Sequence, residues 1–568
     1  MSDLEGPTNI GTPASFLRSS LRISDKMQLD TFLTHRDARE LVRSMPYQDI
    51  FLTIKAVGLA DSLELLPHTS LDQRRGFFDL DCWRKDSFHI HSFMEWMAAF
   101  VQCGPEEVLV TARAIDPQLL ALFLSETLQI FVLELDDPRP EVALIFTPDN
   151  HFGIHIVGEG EGGTLSRLLL DAIFRGDPSL GYDLIDRIRW DNRVSMEEEA
   201  YQERRGRLEE IGFVDYYDAL EIYRDIHLES STLQLYGSST TGNEIAAVST
   251  TLPALFIASL DRGHYLLHAL QKMRDPASAR RVRQGLAALS NRMLSVHSVS
   301  PGDLEKVQPA LDEIRDTLNL ALEHLAGPDP DKAAKIMAKT DVQSLFQVGY
   351  SLLTRLRGEA ERILNSGVLR LEGCQELLLD SPDAEFISGL RRLQPLFFRG
   401  VEDPTRATYR NFERLRDVEI AKMRLAEVES LANAFWACFE HGSAGSLTIE
   451  GASFARQDLR FSQLFSTAVL NWVLNRDFAP RPLVREKLFC FLRSMMSVQD
   501  LAEQLLSQAT VYLAQKLANS GARSSLEDPA KQWLSKSATQ LFLLKENPGN
   551  WSPQWVDSVF IAGDGSGL

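Results

Sequence analysis

The stretch Arg36–Leu80, RDARELVRSMPYQDIFLTIKAVGLADSLELLPHTSLDQRRGFFDL, decides the fold class because it alternates short apolar-periodic segments with helix breakers. Pro46, Gly58 and Pro67 end three successive segments, and Ser70 is placed to cap a fourth. Within the second segment the apolar residues recur at helical spacing, at Ile50, Phe51, Ile54 and Val57. Short helices joined by tight turns are typical of a compact helical superhelix, and we predict such a lobe over residues 27–127.

One β-rich stretch, QIFVLELDDPRPEVALIFTPDNHFGIHIV (Gln129–Val157), interrupts the helical pattern. It contains three runs rich in β-branched and aromatic residues, namely Ile130–Leu135, Val142–Thr147 and Phe152–Val157. The turn sequences DDPRP and PDN separate these runs. The pattern predicts a three-stranded antiparallel β meander.

The remaining chain has the texture of amphipathic helices, including the run MEEEAYQERR (Met196–Arg205), which we interpret as a solvated helix face. We therefore predict a mainly α, irregular, multi-lobed helical protein with a small antiparallel β meander. In chain order the predicted parts are a mobile tail (1–26), a short-helix superhelical lobe (27–127), the meander (128–158), a helical region (159–228), a loop or linker (229–250), a helical C-terminal domain (251–545) and a turn-rich tail (546–568).

Charge and composition restrict the possible functions. The chain has 568 residues, 59 of them Lys or Arg and 79 Asp or Glu, so its net charge is −20. This balance disfavours non-specific nucleic-acid binding and docking on an anionic membrane, since both need a basic face. The five cysteines are scattered and fit reduced thiols. We see no signal peptide and no window near the roughly 18 apolar residues of a membrane span, so we expect a cytoplasmic protein without membrane insertion.

The stretch GFFDLDCWRKDSFHIHSFMEWM (Gly76–Met97) supports two interpretations. In the first, two histidines and one or two carboxylates form a site for zinc, iron or manganese, with Asp79, Asp81, His89 and His91 as ligands. In the second, the stretch is the edge of a hydrophobic core with Trp83 as a buried anchor. Asp79 or Asp81 then caps a helix end or accepts the indole N–H of Trp83, and a helix stripe faces inward at Phe93, Trp96, Met97 and Phe100. The second interpretation is preferred because no matching second half of a metal motif occurs elsewhere.

The loop GEGEGGT (Gly158–Thr164) matches G-x-G-x-x-G through Gly158, Gly160 and Gly163, which lead into Thr164 and a helix. Such a turn can bind a phosphate on backbone N–H groups at the helix N-terminus. The preceding strand belongs to an antiparallel pattern, two glutamates would repel phosphate, and the Walker lysine is absent. We therefore favour a flexible glycine hinge and keep phosphate or nucleotide binding as an alternative.

Three stretches together resemble a large bacterial family described only as a domain of unknown function: GFFDLDCWRKD (Gly76–Asp86), EEIGFVDYYDALEIY (Glu209–Tyr223), and RRLQPLFFRG with YRNFERLRDVE (Arg391–Glu419). The resemblance extends over nearly the whole chain from about residue 27, and its D-L-D-x-W core does not include the two histidines. It implies no activity, cofactor or catalytic residue. Residues 27–127 also loosely resemble the small-helix N-terminal domain of bacterial magnesium transporters, which implies a fold only.

The sequence contains no complete catalytic constellation, and helical superhelices offer extended grooves. We therefore expect a non-enzymatic cytoplasmic scaffold or adaptor that binds another protein, with no cofactor and no nucleic-acid partner. A metal-dependent enzyme or metal sensor built on Asp79, Asp81, His89 and His91 is the first alternative. Nucleotide or phosphate binding at Gly158–Thr164 is the second.

Overall fold

The structure is a computed structural model, and the residues it describes are 33–34, 36–133, 141–158, 160–226, 265–273, 275–369, 378–439, 459–475, 477–517, 520–546 and 557–561. The predicted tail 1–26 and the predicted linker 229–250 lie outside the described residues. The chain divides into two compact units: unit 1 is Met1–Gly349 and unit 2 is Tyr350–Leu568. This division rests on compactness, and the domain boundaries drawn from the sequence stay predictions.

Unit 1 is helical and consists largely of short helices, which confirms a mainly α fold. Its helices are α1 (Ala38–Ser44), α2 (Tyr47–Val57), α3 (Leu71–Asp81), α4 (Ile90–Gln102), α5 (Pro105–Ala114), α6 (Pro117–Ser125), α7 (Glu161–Gly176), α8 (Pro178–Trp190), α9 (Arg193–Glu210), α10 (Tyr216–Ala219), α11 (Tyr265–Lys272), α12 (Pro276–Val296), α13 (Leu304–Ala326) and α14 (Pro330–Lys339). Short 3-10 helices lie at Ala60–Ser62, Leu66–His68 and Leu220–Tyr223. The next helix, α15 (Val342–Asn365), begins in unit 1 and ends in unit 2.

An aromatic cluster forms the core of the N-terminal part of unit 1. The predicted stripe on α4 is buried, with Phe93, Trp96, Met97 and Phe100 each at most 1% exposed. The indole of Trp96 stacks on Phe77 of α3, with ring centroids 5.0 Å apart. Burying such side chains is the largest favourable contribution to folding here, since each aromatic ring removes a large apolar area from water.

Unit 1 also contains a three-stranded antiparallel sheet of β3 (Leu128–Val132), β4 (Ile145–Phe146) and β5 (Phe152–Ile156), and a hairpin of β1 (Trp83–Arg84) and β2 (Ser87–Phe88). The strand order is β3-β5-β4, so the last strand is central and the sheet differs from the predicted meander. The tight turn between β4 and β5 forms a hairpin, in which Asn150 takes a positive φ. The free edge of β5 then pairs with all five residues of β3, which is longer than β4.

Unit 2 contains α16 (Asp383–Leu390), α17 (Leu415–Ala437), α18 (Phe461–Asn475), α19 (Arg485–Ser494), α20 (Val498–Lys516) and α21 (Ser520–Glu546). A hairpin of β6 (Phe397–Phe398) and β7 (Tyr409–Arg410) precedes α17, with a 3-10 turn at Arg399–Val401. Arg410 binds Asp417 through two hydrogen bonds of 2.7 and 2.9 Å, which tie this hairpin to the first turn of α17. Aromatic side chains of α17, α18 and α20 form the core.

Among the described helices, no single one has both the length and the apolar character needed to cross a membrane. The pair α5 and α6 meets the criterion only when taken together, and the two helices are bent by 115° at their junction.

Close packing of α3 on the start of α2 depends on Gly76. A methyl group at this position would overlap the ring of Tyr47. We expect Gly76→Ala to lower the free energy of unfolding by about 1–3 kcal/mol, the usual effect of overpacking. The matched control is Gly206→Ala on α9, where an added methyl group meets no atom within 4 Å. Because alanine is the better helix former, this control should raise stability by about 0.5–1 kcal/mol. Urea unfolding followed by circular dichroism measures the stability of both variants. If both substitutions raised or both lowered the free energy of unfolding, the packing role given to Gly76 would be contradicted.

Candidate ligand-binding cleft

The two aspartates that the sequence singled out have different partners. Asp79, at the end of α3, accepts hydrogen bonds from Nε and Nη2 of Arg207 on α9, both at 2.8 Å. Asp81 accepts the indole N–H of Trp96 at 2.9 Å and pairs with the ammonium of Lys55 at 2.6 Å. Each carboxylate is therefore neutralised by a cation within unit 1 and has a structural role, since buried charges need such partners.

The two histidines lie at the start of α4. His89 is the N-cap residue: its Nδ1 lies 3.4 Å from the backbone N of Ser92 and accepts that N–H. His91 faces solvent beside Glu95, with 3.4 Å between Nε2 and Oε1. The structure does not bring these side chains together with Asp79 and Asp81. Across the described ranges, no group of three or more His, Cys, Asp or Glu side chains is arranged to hold a metal ion.

The glycine loop has a packing explanation. Gly160 is the N-cap residue of α7, and Gly158 takes a φ of +90°, which favours glycine. A methyl group on Gly163 would lie 2.7 Å from the Gly158 carbonyl oxygen, so glycine allows the helix to approach the end of β5. Thr164 donates its side-chain and backbone hydrogen bonds to the Gly160 carbonyl. These contacts account for the glycine spacing through helix–strand packing.

Trp83 is buried, 4% exposed, and packs on Tyr201 of α9 and on Phe88 of β2, with centroids 5.9 and 6.0 Å apart. Of the two roles predicted for Asp79 or Asp81, capping a helix end or accepting the Trp83 indole N–H, the second is wrong. Asp81 accepts the indole N–H of Trp96 instead. The Trp83 indole N–H has no hydrogen-bond partner among the described residues, although a buried donor normally has one.

Trp83 lines a cavity of about 610 Å³ in unit 1. The wall is built from the β1–β2 hairpin, α9, the segment that leads into α10, and the end of α12 with the residues after it. The lining residues include Trp83, Arg84, Lys85, Tyr201, Arg204 and Tyr216. The volume lies within the range of about 300–1,000 Å³ typical of ligand pockets. We call this cavity the cleft.

Arg204 and Arg207 lie one turn apart on α9, and their pKa values shift in opposite directions. Burial acts to lower the pKa of Arg207, but hydrogen bonds to Asp79 and Asp116 raise it above its ordinary value. Burial lowers the pKa of Arg204, whose guanidinium lies over the Trp83 ring at 5.4 Å. Its Nε donates to the Asp79 backbone carbonyl at 2.7 Å, and no carboxylate within the described residues forms an ion pair with it. The Asp79 carboxylate acts on Arg204 in the opposite sense to burial, but it forms its direct ion pair with Arg207, so Arg204 is a half-buried cation that forms no direct ion pair with the described residues.

The tip of the β1–β2 hairpin adds two cations to the cleft. Arg84 donates only to the backbone carbonyls of Asp81 and Trp83, and Lys85 has no carboxylate partner in the described part of the chain. Lys85 takes a φ of +60° at the first position of a two-residue turn, where glycine is preferred. Ser298, which also lines the cleft, takes a φ of +51°. Residues held in such conformations concentrate at functional sites.

Hydroxyl groups and aromatic rings complete the wall. Burial, together with the nearby Asp215 carboxylate, raises the pKa of Tyr201, so its phenol remains a neutral donor. Asp215 itself pairs with Arg205 at 2.7 Å. Tyr216 is 46% exposed at the rim. Cations, phenol and aromatic faces suit a ligand that presents negative oxygen atoms beside an apolar group.

The interpretation of Met196–Arg205 as a solvated face does not include these residues of α9 in a site. A signal was present: Tyr201, Arg204, Arg205 and Leu208 recur at i, i+3, i+4 and i+7, which places them on one helix face. This face lines the cleft, although charged residues dominate the segment as a whole.

An ion pair with one exposed and one buried member lies beside the lining residue Ser298, at the end of α12. His297 Nε2 lies 2.9 Å from Oε2 of Glu313, whose side chain is buried. This hydrogen bond raises the pKa of His297 above its ordinary value of 6.5, against the opposing effect of burial. The folded state therefore holds the proton more tightly, so the stabilisation is complete below about pH 6.5 and is lost as pH rises through the raised pKa.

We expect His297→Gln to be less stable than the natural protein at about pH 6 and to approach it at about pH 9. Urea unfolding of both proteins at the two pH values measures this difference. A stability difference that stays constant, or grows with pH, would contradict the assigned charge state of the pair.

The sequence model of a family of unknown function (DUF6178) matches residues 7–563. The chain belongs to this family. The match confirms the resemblance found from the D-L-D-x-W segment and includes every residue that lines the cleft. The likeness of residues 27–127 to a magnesium-transporter domain gains no support. No curated protein and no solved structure matches the chain.

Membership of the DUF6178 family supplies no site residues, so any functional assignment depends on the cleft. The described lining residues include no histidine and no cysteine. Its lining presents arginine, lysine and phenol donors to a partly aromatic cavity.

Proposed function

We propose that this protein is a non-enzymatic, cytoplasmic helical adaptor that binds another protein through the cleft of unit 1. The observation that carries the proposal is the half-buried guanidinium of Arg204, which lies over Trp83 and has no ion-pair partner among the described residues. Its position without one is explained by a ligand from outside that supplies the negative charge.

The rim of the cleft supports a protein partner. Tyr216 is 46% and the adjacent Tyr217 83% exposed, and their rings meet edge to face at 5.5 Å. Tyrosine and arginine are enriched among the residues that contribute most to protein–protein binding. Large, rigid aromatic side chains at the edge of a cationic cleft give a partner both apolar contact and orientation.

Photo-crosslinking in the cells that naturally produce the protein tests the proposal. A benzoyl-phenylalanine residue is placed at Tyr216, and the control places it at Trp190, which is 74% exposed and does not line the cleft. We expect a discrete protein adduct from position 216 that disappears when Arg204→Met is added, and no such adduct from position 190. Mass spectrometry identifies the partner, and the reciprocal crosslink from the partner verifies it.

Absence of a protein adduct at position 216 would overturn the proposal, as would an adduct that Arg204→Met leaves unchanged. Circular dichroism of Arg204→Met shows whether the fold is retained. A second variant, Lys85→Gly, removes a cation from a turn where glycine is sterically favoured and so keeps the test independent of folding.

A further inference from the structure

We infer that the cleft recognises an acidic segment of its partner, with a carboxylate bound by Arg204 and Lys85 and an apolar side chain packed against Trp83 and Tyr201. The inference rests on the proposed function and specifies the chemistry of the partner. Three cations of the cleft form no ion pair with the residues that the structure describes: Arg204, which is half-buried, and Arg84 and Lys85, which are exposed.

The burial of Arg204 indicates where the carboxylate binds. Burial lowers the pKa of this guanidinium, and the Asp79 carboxylate nearby is already taken by two hydrogen bonds from Arg207. A guanidinium presents parallel N–H donors that match a carboxylate, and such bonds strengthen when water is excluded. A bound carboxylate would therefore form the direct ion pair with Arg204 that no described residue forms.

Lys85 indicates that the charge at the hairpin tip is functional. A two-residue turn with positive φ at its first position accepts glycine without steric cost, yet lysine stands there. Strain of this kind persists where the side chain is needed. Lys85 lines the same cleft as Arg204, so its ammonium adds a second, more mobile cation to the binding site.

The choice of a carboxylate over a phosphate follows from the proposed partner. Asp86 and Asp215 also line the cleft, but Arg84, Lys85, Arg204 and Arg205 outnumber them, and Asp215 is already paired with Arg205. A lining with this balance attracts anions, and carboxylates are the anions that an unmodified protein segment supplies. The aromatic walls of Trp83 and Tyr201 then provide apolar contact for the side chain next to the acidic residue.

Fluorescence anisotropy with defined peptides tests the inference. The probe is a rhodamine-labelled Asp-Glu-Phe-Asp-Glu peptide with blocked ends, and its uncharged counterpart is Asn-Gln-Phe-Asn-Gln. We expect the acidic peptide to bind at least tenfold more tightly than the uncharged one, and its affinity to fall as salt is added. Arg204→Met and Lys85→Gly should each weaken binding about tenfold or more, the loss associated with a charge-assisted contact.

The matched control is Arg193→Met, which removes an exposed arginine from the same helix; Arg193 pairs with Glu126 and does not line the cleft. We expect this variant to bind the acidic peptide with unchanged affinity. Equal binding of the two peptides would overturn the inference, as would equal losses in Arg193→Met and Arg204→Met. Displacement of the acidic peptide by an equal concentration of inorganic phosphate would overturn the choice of carboxylate.

The two proposals fail in different ways. A crosslink at position 216 that depends on Arg204, combined with no preference for the acidic peptide, would retain the adaptor and overturn the acidic segment. Loss of the crosslink would overturn the adaptor itself. Melting temperatures of Lys85→Gly and Arg204→Met accompany both experiments, and Lys85→Gly should melt no lower than the natural protein because its turn is relieved of strain.

Discussion

Arg207→Met will lower the free energy of unfolding of unit 1 by about 3–5 kcal/mol, the usual result of removing one partner from a buried ion pair. Arg207 donates to both oxygens of Asp79 at 2.8 Å and to Asp116 at 2.5 Å. Asp79 has only 4% of its side chain exposed. The variant would leave this carboxylate buried without its cation, and the desolvation of that charge is the source of the loss.

The double variant Asp79→Leu with Arg207→Met should recover part of the stability, because neither member then leaves a buried charge. Arg193→Met serves as the control on the same helix: Arg193 is 60% exposed in its ion pair with Glu126, so we expect a change below about 1 kcal/mol. Urea unfolding followed by tryptophan fluorescence and circular dichroism measures all three. A loss in Arg207→Met no larger than in Arg193→Met would show that the ion pair does not hold α9 to α3.

Trp83→Ala will lower the free energy of unfolding by about 3–5 kcal/mol, the cost of removing a buried aromatic side chain. Trp83 is 4% exposed and lies between Phe88, Tyr201 and the Arg204 guanidinium. Its removal would leave α9 and the β1–β2 hairpin without the surface on which both pack. It would also enlarge the cleft.

Trp83→Phe separates packing from the indole N–H. Because this N–H has no hydrogen-bond partner in the described structure, phenylalanine loses no bond and removes a buried, unsatisfied donor. We expect a change within about 1 kcal/mol for Trp83→Phe. His91→Ala, at a side chain 67% exposed, should change stability by less than about 0.5 kcal/mol. If Trp83→Ala retains full stability while His91→Ala loses several kcal/mol, the segment is a polar site and not the edge of a core.

For Trp83, the local sequence pattern indicates burial but not the hydrogen-bond partner. The residues near Trp83 in sequence predicted its burial correctly, because apolar spacing around Leu80 and Phe93 indicates an inward face. The same residues predicted the wrong hydrogen bond. Asp81 lies two residues from Trp83, yet it accepts from Trp96, fifteen positions further on. Closeness in sequence therefore does not determine which indole N–H the Asp81 carboxylate accepts.

The strand order has a similar explanation. Strand-forming runs and turns near residues 128–158 were recognisable from β-branched and aromatic residues, and the small antiparallel sheet is present. The order β3-β5-β4 depends on which edge of β5 remains open after the β4–β5 hairpin has formed. This choice is made between whole strands, so no single run of residues indicates it.

The sequence by itself determined the mainly α character, the short N-terminal helices, the buried stripe of α4 and membership of the DUF6178 family. The helical properties follow from spacings of three and four residues and from helix breakers, which act along the chain, whereas family membership follows from the match over residues 7–563. Only the tertiary structure decided that Arg207 neutralises Asp79 across 128 positions while Arg204, one turn away, lines a cleft without a carboxylate partner among the described residues. Which charge is buried, paired or left for a ligand depends on the environment that distant segments create around it, because desolvation and Coulomb attraction act through space.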